Sequence, residues 1–376
     1  MKISIIGSGN AGCFTALYYS SQGKEVELIH NPDVLPVTVG QATMPSSTAL
    51  LWEANRFNWY NNSIHATLKT GILYEDWGKV NDKVFHPFPA DRMSMHFCPW
   101  EMQKYVLSSG NFKVTEGDVD PKDVDADYVF DCRGKPDNFS DYDELKNPTN
   151  ACILGKPNWD TTEALWSRHV ATPDGWTFIV PAKEDSPSHS GAVGYCYNSN
   201  ITKKEVAESN FLDMFDVEVT EHIEYKNYVA KNPIDGRVIL NGNRLFFLEP
   251  LESTSIESYL YLSRAVLYAI TNKIPLYHIS SNISKYLEKV QDYILWHYKF
   301  GSKYDTPFWE YAKSLFSPDS EFNSFLETSI SMDWHKATNI DNIDYKSLVE
   351  RNLVYGQWPA YSFKYWHEGM NIHKRE

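Results

Sequence analysis

Two short stretches of this chain carry glycines, hydroxyls and acids at spacings that suit the binding of anions. Gly7-Ser8-Gly9-Asn10-Ala11-Gly12 follows the apolar run 2–6 and precedes a helical stretch, Cys13–Ser21. In that order Gly7 permits a tight turn, Gly9 and Ala11 let backbone amides approach a pyrophosphate, and Gly12 lets helix and strand pack closely. The phosphate then meets the positive end of the helix. Further on, Thr254-Ser255-Ile256-Glu257 reads as a capping box opening a helix that runs through Leu260–Ala269. Its first amides and its dipole would face an anion lying before it, although an ordinary capped helix has the same sequence.

The elements that position the first stretch are also legible. Residues 2–6 and Glu25–Ile29 read as parallel strands on either side of the glycine turn and its helix. His30 stands where an acid usually meets ribose hydroxyls, and an imidazole can hydrogen-bond them as well. Two later segments return to the same region: the strand Asp127–Cys132, ending at Arg133-Gly134, and Arg237–Leu240, leading into Asn241-Gly242-Asn243. Separated returns of this kind suit FAD, an extended cofactor touched by distant segments, better than NAD. The expected fold is therefore α/β: a Rossmann-type FAD domain over 1–275, assembled from 1–30, about 120–200 and 235–275 around an insertion that lines the active site. A mostly helical region, 276–376, completes one composite unit, and the proline-bearing stretch Lys146–Pro157 reads as a loop.

Composition narrows the function. The net charge of −14, with Lys and Arg scattered, argues against nucleic-acid binding. Aromatic residues reach 15%, including 12 Trp and 24 Tyr, which suits an aromatic-lined site. Five cysteines without a CxxC pair fit neither a disulfide framework nor a metal site, so a reducing cytoplasm is expected and no metal. No long apolar run is present, and a soluble, unprocessed chain without membrane attachment is expected.

Four segments carry a resemblance that runs across most of the chain. They are Thr38-Val39-Gly40-Gln41-Ala42-Thr43-Met44-Pro45; Thr67-Leu68-Lys69-Thr70-Gly71-Ile72 with Trp77-Gly78; Leu248-Glu249-Pro250-Leu251-Glu252-Ser253-Thr254-Ser255-Ile256; and His297-Tyr298 with Asp305-Thr306-Pro307-Phe308-Trp309. A fifth, Trp176-Thr177-Phe178-Ile179-Val180-Pro181, is similar to a WxWxIP fingerprint with Phe for the second Trp and Val before Pro. Together they resemble the flavin-dependent tryptophan halogenase family.

The resemblance implies the chemistry. Reduced FAD (FADH2) and O2 oxidise a halide (chloride, bromide or iodide) to hypohalous acid, which Lys69 passes to an electron-rich aromatic substrate with Glu252 orienting it or accepting a proton. It places FAD against Gly40, Ala42, Thr43 and Leu248 as well as the glycine turn, His30, Gly242 and Asn243, and halide on the amides of Thr254 and Ser255. His86, Phe88, Trp176, Phe178, His297, Tyr298, Phe308 and Trp309 are implied around the substrate. A separate flavin reductase is the implied partner, and a homo-oligomer stays open. The chain is shorter than the tryptophan-using members, so an indole, a phenol or another small arene is the expected substrate. Departures at His30, Gln41, Phe178, Asn243 and Ser255 keep two alternatives in view: a flavin-dependent aromatic hydroxylase, since a shared scaffold does not fix function, and a flavin-binding protein without turnover.

Overall fold

Isoleucines at positions 3, 5 and 6 make the opening strand apolar on both faces, as a buried parallel strand must be. The computed structural model describes residues 1–34, 41–60, 62–88, 93–161, 164–181, 192–332 and 352–371. In it Lys2–Ile6 pairs in parallel with Glu25–His30, and the helix Asn10–Ser21 connects them. Tyr128–Asp131 and then Val238–Leu240 extend this sheet on one side, and Lys113–Glu116 extends it on the other, all parallel; Ile234–Asp235 closes one edge antiparallel. The expected βαβ unit and both later returns thus fall in one sheet, their ends displaced by one to three residues.

A second sheet, mainly antiparallel, has seven strands in the order Val217–Glu224, Ala151–Pro157, Ala192–Tyr197, Gly175–Val180, Ser167–Thr172, Gly71–Glu75 and Lys83–Pro87. It corrects one expectation: most of Lys146–Pro157 is strand, not loop. Ala151–Leu154 is an apolar run buried between neighbours on both sides, and that burial outweighs the prolines. Pro148 precedes the strand and Pro157 is its last residue, so neither interrupts the central ladder. Residues 120–200 are therefore shared between the two sheets.

The C-terminal part is helical. Thr254–Thr271 packs on Asn10–Ser21, and Tyr277–Lys299, Pro307–Ser314 and Ser320–Ser331 follow. A small hairpin, Val354–Tyr355 with Trp358–Pro359, leads into the helix Ala360–Asn371. One core cluster joins all of this, from Ile3 and Phe14 in the first layer through Trp176 to Trp309 and Trp366. Six of the 12 tryptophans (Trp77, Trp176, Trp296, Trp309, Trp358 and Trp366) are fully buried, so much of the aromatic excess builds this core. Among the described residues no helix is long and apolar enough to cross a membrane, and all five cysteines are buried thiols.

Candidate active site

The glycine turn is shaped as its spacing requires. Gly7 has φ +101°, and a Cβ there would lie 2.5 Å from the Cys132 carbonyl oxygen; one on Gly12 would lie 1.8 Å from the Gly7 oxygen. Those glycines make the close packing possible. A Cβ on Gly9 meets nothing within 4 Å, and no side chain caps the helix it opens. Open space in front of uncapped amides is the cradle a pyrophosphate needs, so the residues fit a dinucleotide such as FAD. Gly242 reaches the same place: its backbone approaches so closely that a Cβ would lie 2.5 Å from the Cβ of Ala11.

Around the cradle, half-buried His30 ends its strand in register with the exposed Glu116 of the neighbouring strand. Asn243 is held by the protein: its Oδ1 accepts from the Tyr259 hydroxyl at 2.9 Å and its carbonyl from the Tyr228 hydroxyl at 2.6 Å. Ala42 pairs with His96, Thr43 is fully buried and its Oγ1 accepts from the Met95 amide at 3.0 Å, and Leu248 is buried; Gly40 lies outside the described residues.

A second centre forms where the seven-stranded sheet and a small three-stranded one, Gln41–Ala42, Ser94–Phe97 and Thr67–Lys69, meet the helical part. Lys69 ends the strand Thr67–Lys69, paired with Ser94, and its side chain is completely buried. Its Nζ donates to the Ser253 Oγ at 2.8 Å and stands 5.1 Å from the centroid of the Phe88 ring. Burial pulls the amine down to about 7, against the charge of Glu252, which raises it. His96 and His169 nearby are pushed toward the neutral form by burial and then by Lys69, His169 to about 3.

Glu252 is the acceptor at the middle of this centre. Its Oε1 accepts from the Tyr74 hydroxyl and lies 3.1 Å from both His86 Nδ1 and His297 Nε2, and its Oε2 accepts from Trp358 Nε1 at 3.2 Å. Burial by itself would raise the carboxyl, but His86 and His297 outweigh that and hold it well below the usual carboxylate range. Glu252 and Ser253 have φ of 66° and 55°. A left-handed conformation in non-glycine residues costs about 1–3 kcal/mol each and persists only where surrounding bonds fix it. Here it turns two consecutive side chains to opposite tasks, Glu252 toward Tyr74, His86, His297 and Trp358 and Ser253 toward Lys69.

The capping box expected at Thr254–Glu257 is not formed. Ser253 is the N-cap and makes no side-chain cap bond; Glu257 is drawn off by Ser46 and by Arg264, whose Nη1 donates to it at 2.8 Å. The helix start is therefore uncapped, and the Thr254 Oγ1 is buried without a hydrogen-bond partner. An unsatisfied hydroxyl at a positive helix end fits an anion better than a closed cap would. Ser255 follows, partly buried.

Three residues before Glu252, a second buried acid gathers different partners. Glu249 is bonded by the Thr149 hydroxyl, by the Tyr298 hydroxyl at 2.6 Å and, at a long 3.4 Å, by Trp176 Nε1. Burial drives its carboxyl up to about 7, and these neutral donors only partly offset that. Trp176 and Tyr298, both expected near substrate, thus meet on Glu249, while His86 and His297 meet on Glu252. Phe178 packs on Trp176 at 6.1 Å, Trp309 donates its indole N–H to the Thr172 carbonyl at 2.8 Å and packs on Trp77 and Tyr298, and Phe308 is buried beside Tyr298. Sequence reasoning missed Tyr74, Glu249 and Ser253, which lie in or just beyond the quoted segments. It also missed Trp358, which stands 106 residues from Glu252 and has no motif around it.

The chain is similar in sequence and fold to known proteins. The tryptophan halogenase family model matches residues 2–115 and 120–329, which include both Lys69 and Glu252. The tryptophan 7-halogenase RebH of Lentzea aerocolonigenes is 24% identical over 214 residues, 51% of this chain but only 39% of that protein. In fold, the chain is similar to MibH, a lanthipeptide-type tryptophan 5-halogenase, with a TM-score of 0.76 at 15% identity over 100% of this chain and 86% of the other. It is also similar to BrvH, a flavin-dependent halogenase from Brevundimonas sp. BAL3, with a TM-score of 0.75 at 16% identity over 99% and 89%. With a family match over nearly its whole length and the same fold throughout, the chain belongs to the tryptophan halogenase family.

Proposed function

We propose that the protein is a flavin-dependent halogenase that modifies an electron-rich aromatic ring, indole- or phenol-like. When bound and reduced, FAD supplies with O2 the oxidising equivalent that turns halide into hypohalous acid. Gly7, Gly9, Ala11, Gly12 and Gly242 would hold its pyrophosphate, and His30 with Glu116 its ribose. The amides of Thr254 and Ser255 would hold halide, a role that the uncapped helix start and the unpartnered Thr254 hydroxyl support.

The observation that carries the reading is a buried lysine whose amine, brought to about 7, stands on Ser253 beside Glu252. Half-neutral at physiological pH, Nζ can attack the halogen of hypohalous acid, forming an N–halogen bond and releasing water. The aromatic ring then takes the halogen, the N–halogen bond breaks, and the ring loses a proton. Hydrogen bonds from Tyr74 and Trp358, the two histidines beside it and a strongly lowered pKa make Glu252 a fixed negative charge that stabilises the positive ring in passing. RebH, by name a tryptophan 7-halogenase, supports the reaction class, while the substrate is argued from this site because the match spans 39% of that protein.

A separate flavin reductase is part of the proposal, since the sequence has one dinucleotide fingerprint and none for a nicotinamide. The five buried thiols suit a reducing cytoplasm. The test is mass spectrometry of products from indoles and phenols given FAD, a reductase, NADH and each halide. Halogenated product from wild type but not from Lys69→Ala supports the reading, and hydroxylated product from both sinks it.

A further inference from the structure

Resting on the proposed reaction, we infer that Trp358 is the specificity-determining residue of the Lys69–Glu252 centre. Its indole fills the Glu252 side, occupies a place that a flat N–H-bearing ring would otherwise take, and restricts substrate to rings that reach Lys69 past Phe88.

The argument starts from the carboxylate. Two carboxylate oxygens offer about four lone-pair sites. Oε1 of Glu252 is crowded by Tyr74, His86 and His297, whereas Trp358 is the partner of Oε2. The Oε1 partners are carried by long elements: Tyr74 and His86 on five-residue strands of the large sheet, His297 on a 23-residue helix. Trp358 is delivered by a hairpin with only two residues in each strand. Its contact with Glu252 is therefore the one a change of side chain can remove without dismantling the sheet.

What surrounds the Trp358 indole is a binding site for an indole. Tyr293 stacks on it, with centroids 3.9 Å apart and planes 24° apart, while Glu252 accepts its N–H. A flat stacking face and a charged acceptor at the ring edge are the two things a buried indole requires. Trp366 closes the neighbouring side, lying 4.3 Å from Tyr74 and 4.2 Å from His297 between ring centroids. Trp358 and Trp366 are both fully buried, but Phe88, against Lys69, keeps 9% exposure.

The experiment is calorimetric titration of free indole into wild type, Trp358→Ala, Trp358→Leu and Trp358→Phe, without flavin or halide. Trp296→Ala serves as a neighbouring control cavity, since Trp296 is as large and as buried and also packs on Tyr293 and His297, but is otherwise set among Phe300, Phe322 and Phe363 and not on Glu252. Apolar cavities left by truncation take up ring-shaped ligands. Trp358→Ala should bind indole at least about tenfold more tightly than wild type, Trp358→Phe and Trp296→Ala do. Adding Glu252→Gln should weaken that binding. If Trp358→Ala does not fold, Trp358→Leu, which keeps part of the apolar bulk, carries the comparison. Binding to Trp358→Ala or Trp358→Leu no tighter than to Trp296→Ala overturns the inference. A turnover arm then reads kcat/KM for indole against phenol, which should rise about tenfold in the truncated variants; an unchanged ratio also overturns it. Because the titration needs no turnover, failure of the halogenase reading and failure of this assignment give different results.

Discussion

Glu249 and Glu252 stand three residues apart in one loop, are equally buried, and are shifted in opposite directions. Glu249 is raised to about 7, whereas Glu252 is held well below the usual carboxylate range. Burial is the largest influence on both, so burial cannot be what separates them. The difference lies in the partners: hydroxyls and an indole for Glu249, two imidazoles and a nearby lysine for Glu252. Hydroxyl and indole donors lower a buried carboxyl only in part, whereas His86 and His297 beside Glu252 reverse the sign. One loop thus supplies a carboxyl raised to about 7 that holds Trp176 and Tyr298 and, three residues later, a carboxylate held low beside the buried Lys69 amine.

Removing the amine is the most drastic way to break this division. Lys69→Ala should lower halogenation by about 10²–10⁴-fold, read as product per unit time by mass spectrometry. Next comes the paired exchange of the two acids. Glu252→Gln should cost about 10²-fold in turnover and about 1–3 kcal/mol of stability in denaturant titration, since it removes the buried carboxylate on which Tyr74, His86, His297 and Trp358 converge. Glu249→Gln, which keeps neutral hydrogen bonds, should stay within about tenfold of wild type. Equal losses in both variants would erase the proposed distinction.

Titration sharpens the comparison with smaller effects. If Nζ acts as a neutral amine, kcat/KM should rise with pH through about 7 as Lys69 loses its proton; a fall through the same range would mean that the ammonium is the active form. Glu249 works on stability with a definite sign. Its folded-state pKa is raised from 4.5 to about 7, so its contribution is full below 4.5 and is lost as pH rises through about 7. Glu249→Gln should flatten that part of the stability–pH curve. The smallest expected effect is that of Trp176→Phe: its bond to Glu249 is 3.4 Å long, and losing it should change stability by under about 1 kcal/mol.

Much of this molecule is readable along the chain because the signals are local. A glycine turn between an apolar run and a helix states its own geometry, since Gly7 and Gly12 sit where no side chain fits. The segments around Lys69 and Glu252 carry family-specific residues in short stretches, so Lys69, Glu252, His86 and His297 could be named before the fold was known. Local signals fail where distant packing competes with them. Lys146–Pro157 has loop composition, yet two neighbouring strands make Ala151–Pro157 part of a sheet. Thr254–Glu257 has the letters of a capping box, yet Ser46 and Arg264 take the acid away.

By itself, then, the sequence determined the opening strand, glycine turn and helix and the two strands that return to them, because backbone sterics and short motifs act over a few residues, while its family resemblance singled out Lys69 and Glu252. Only the tertiary structure decided the opposite pKa shifts of the two acids, the uncapped start of the helix at Thr254, and the arrival of Trp358 on Glu252 from 106 residues away. A buried group's pKa and the shape of a pocket are sums over neighbours brought together by folding, and those neighbours lie far apart along the chain.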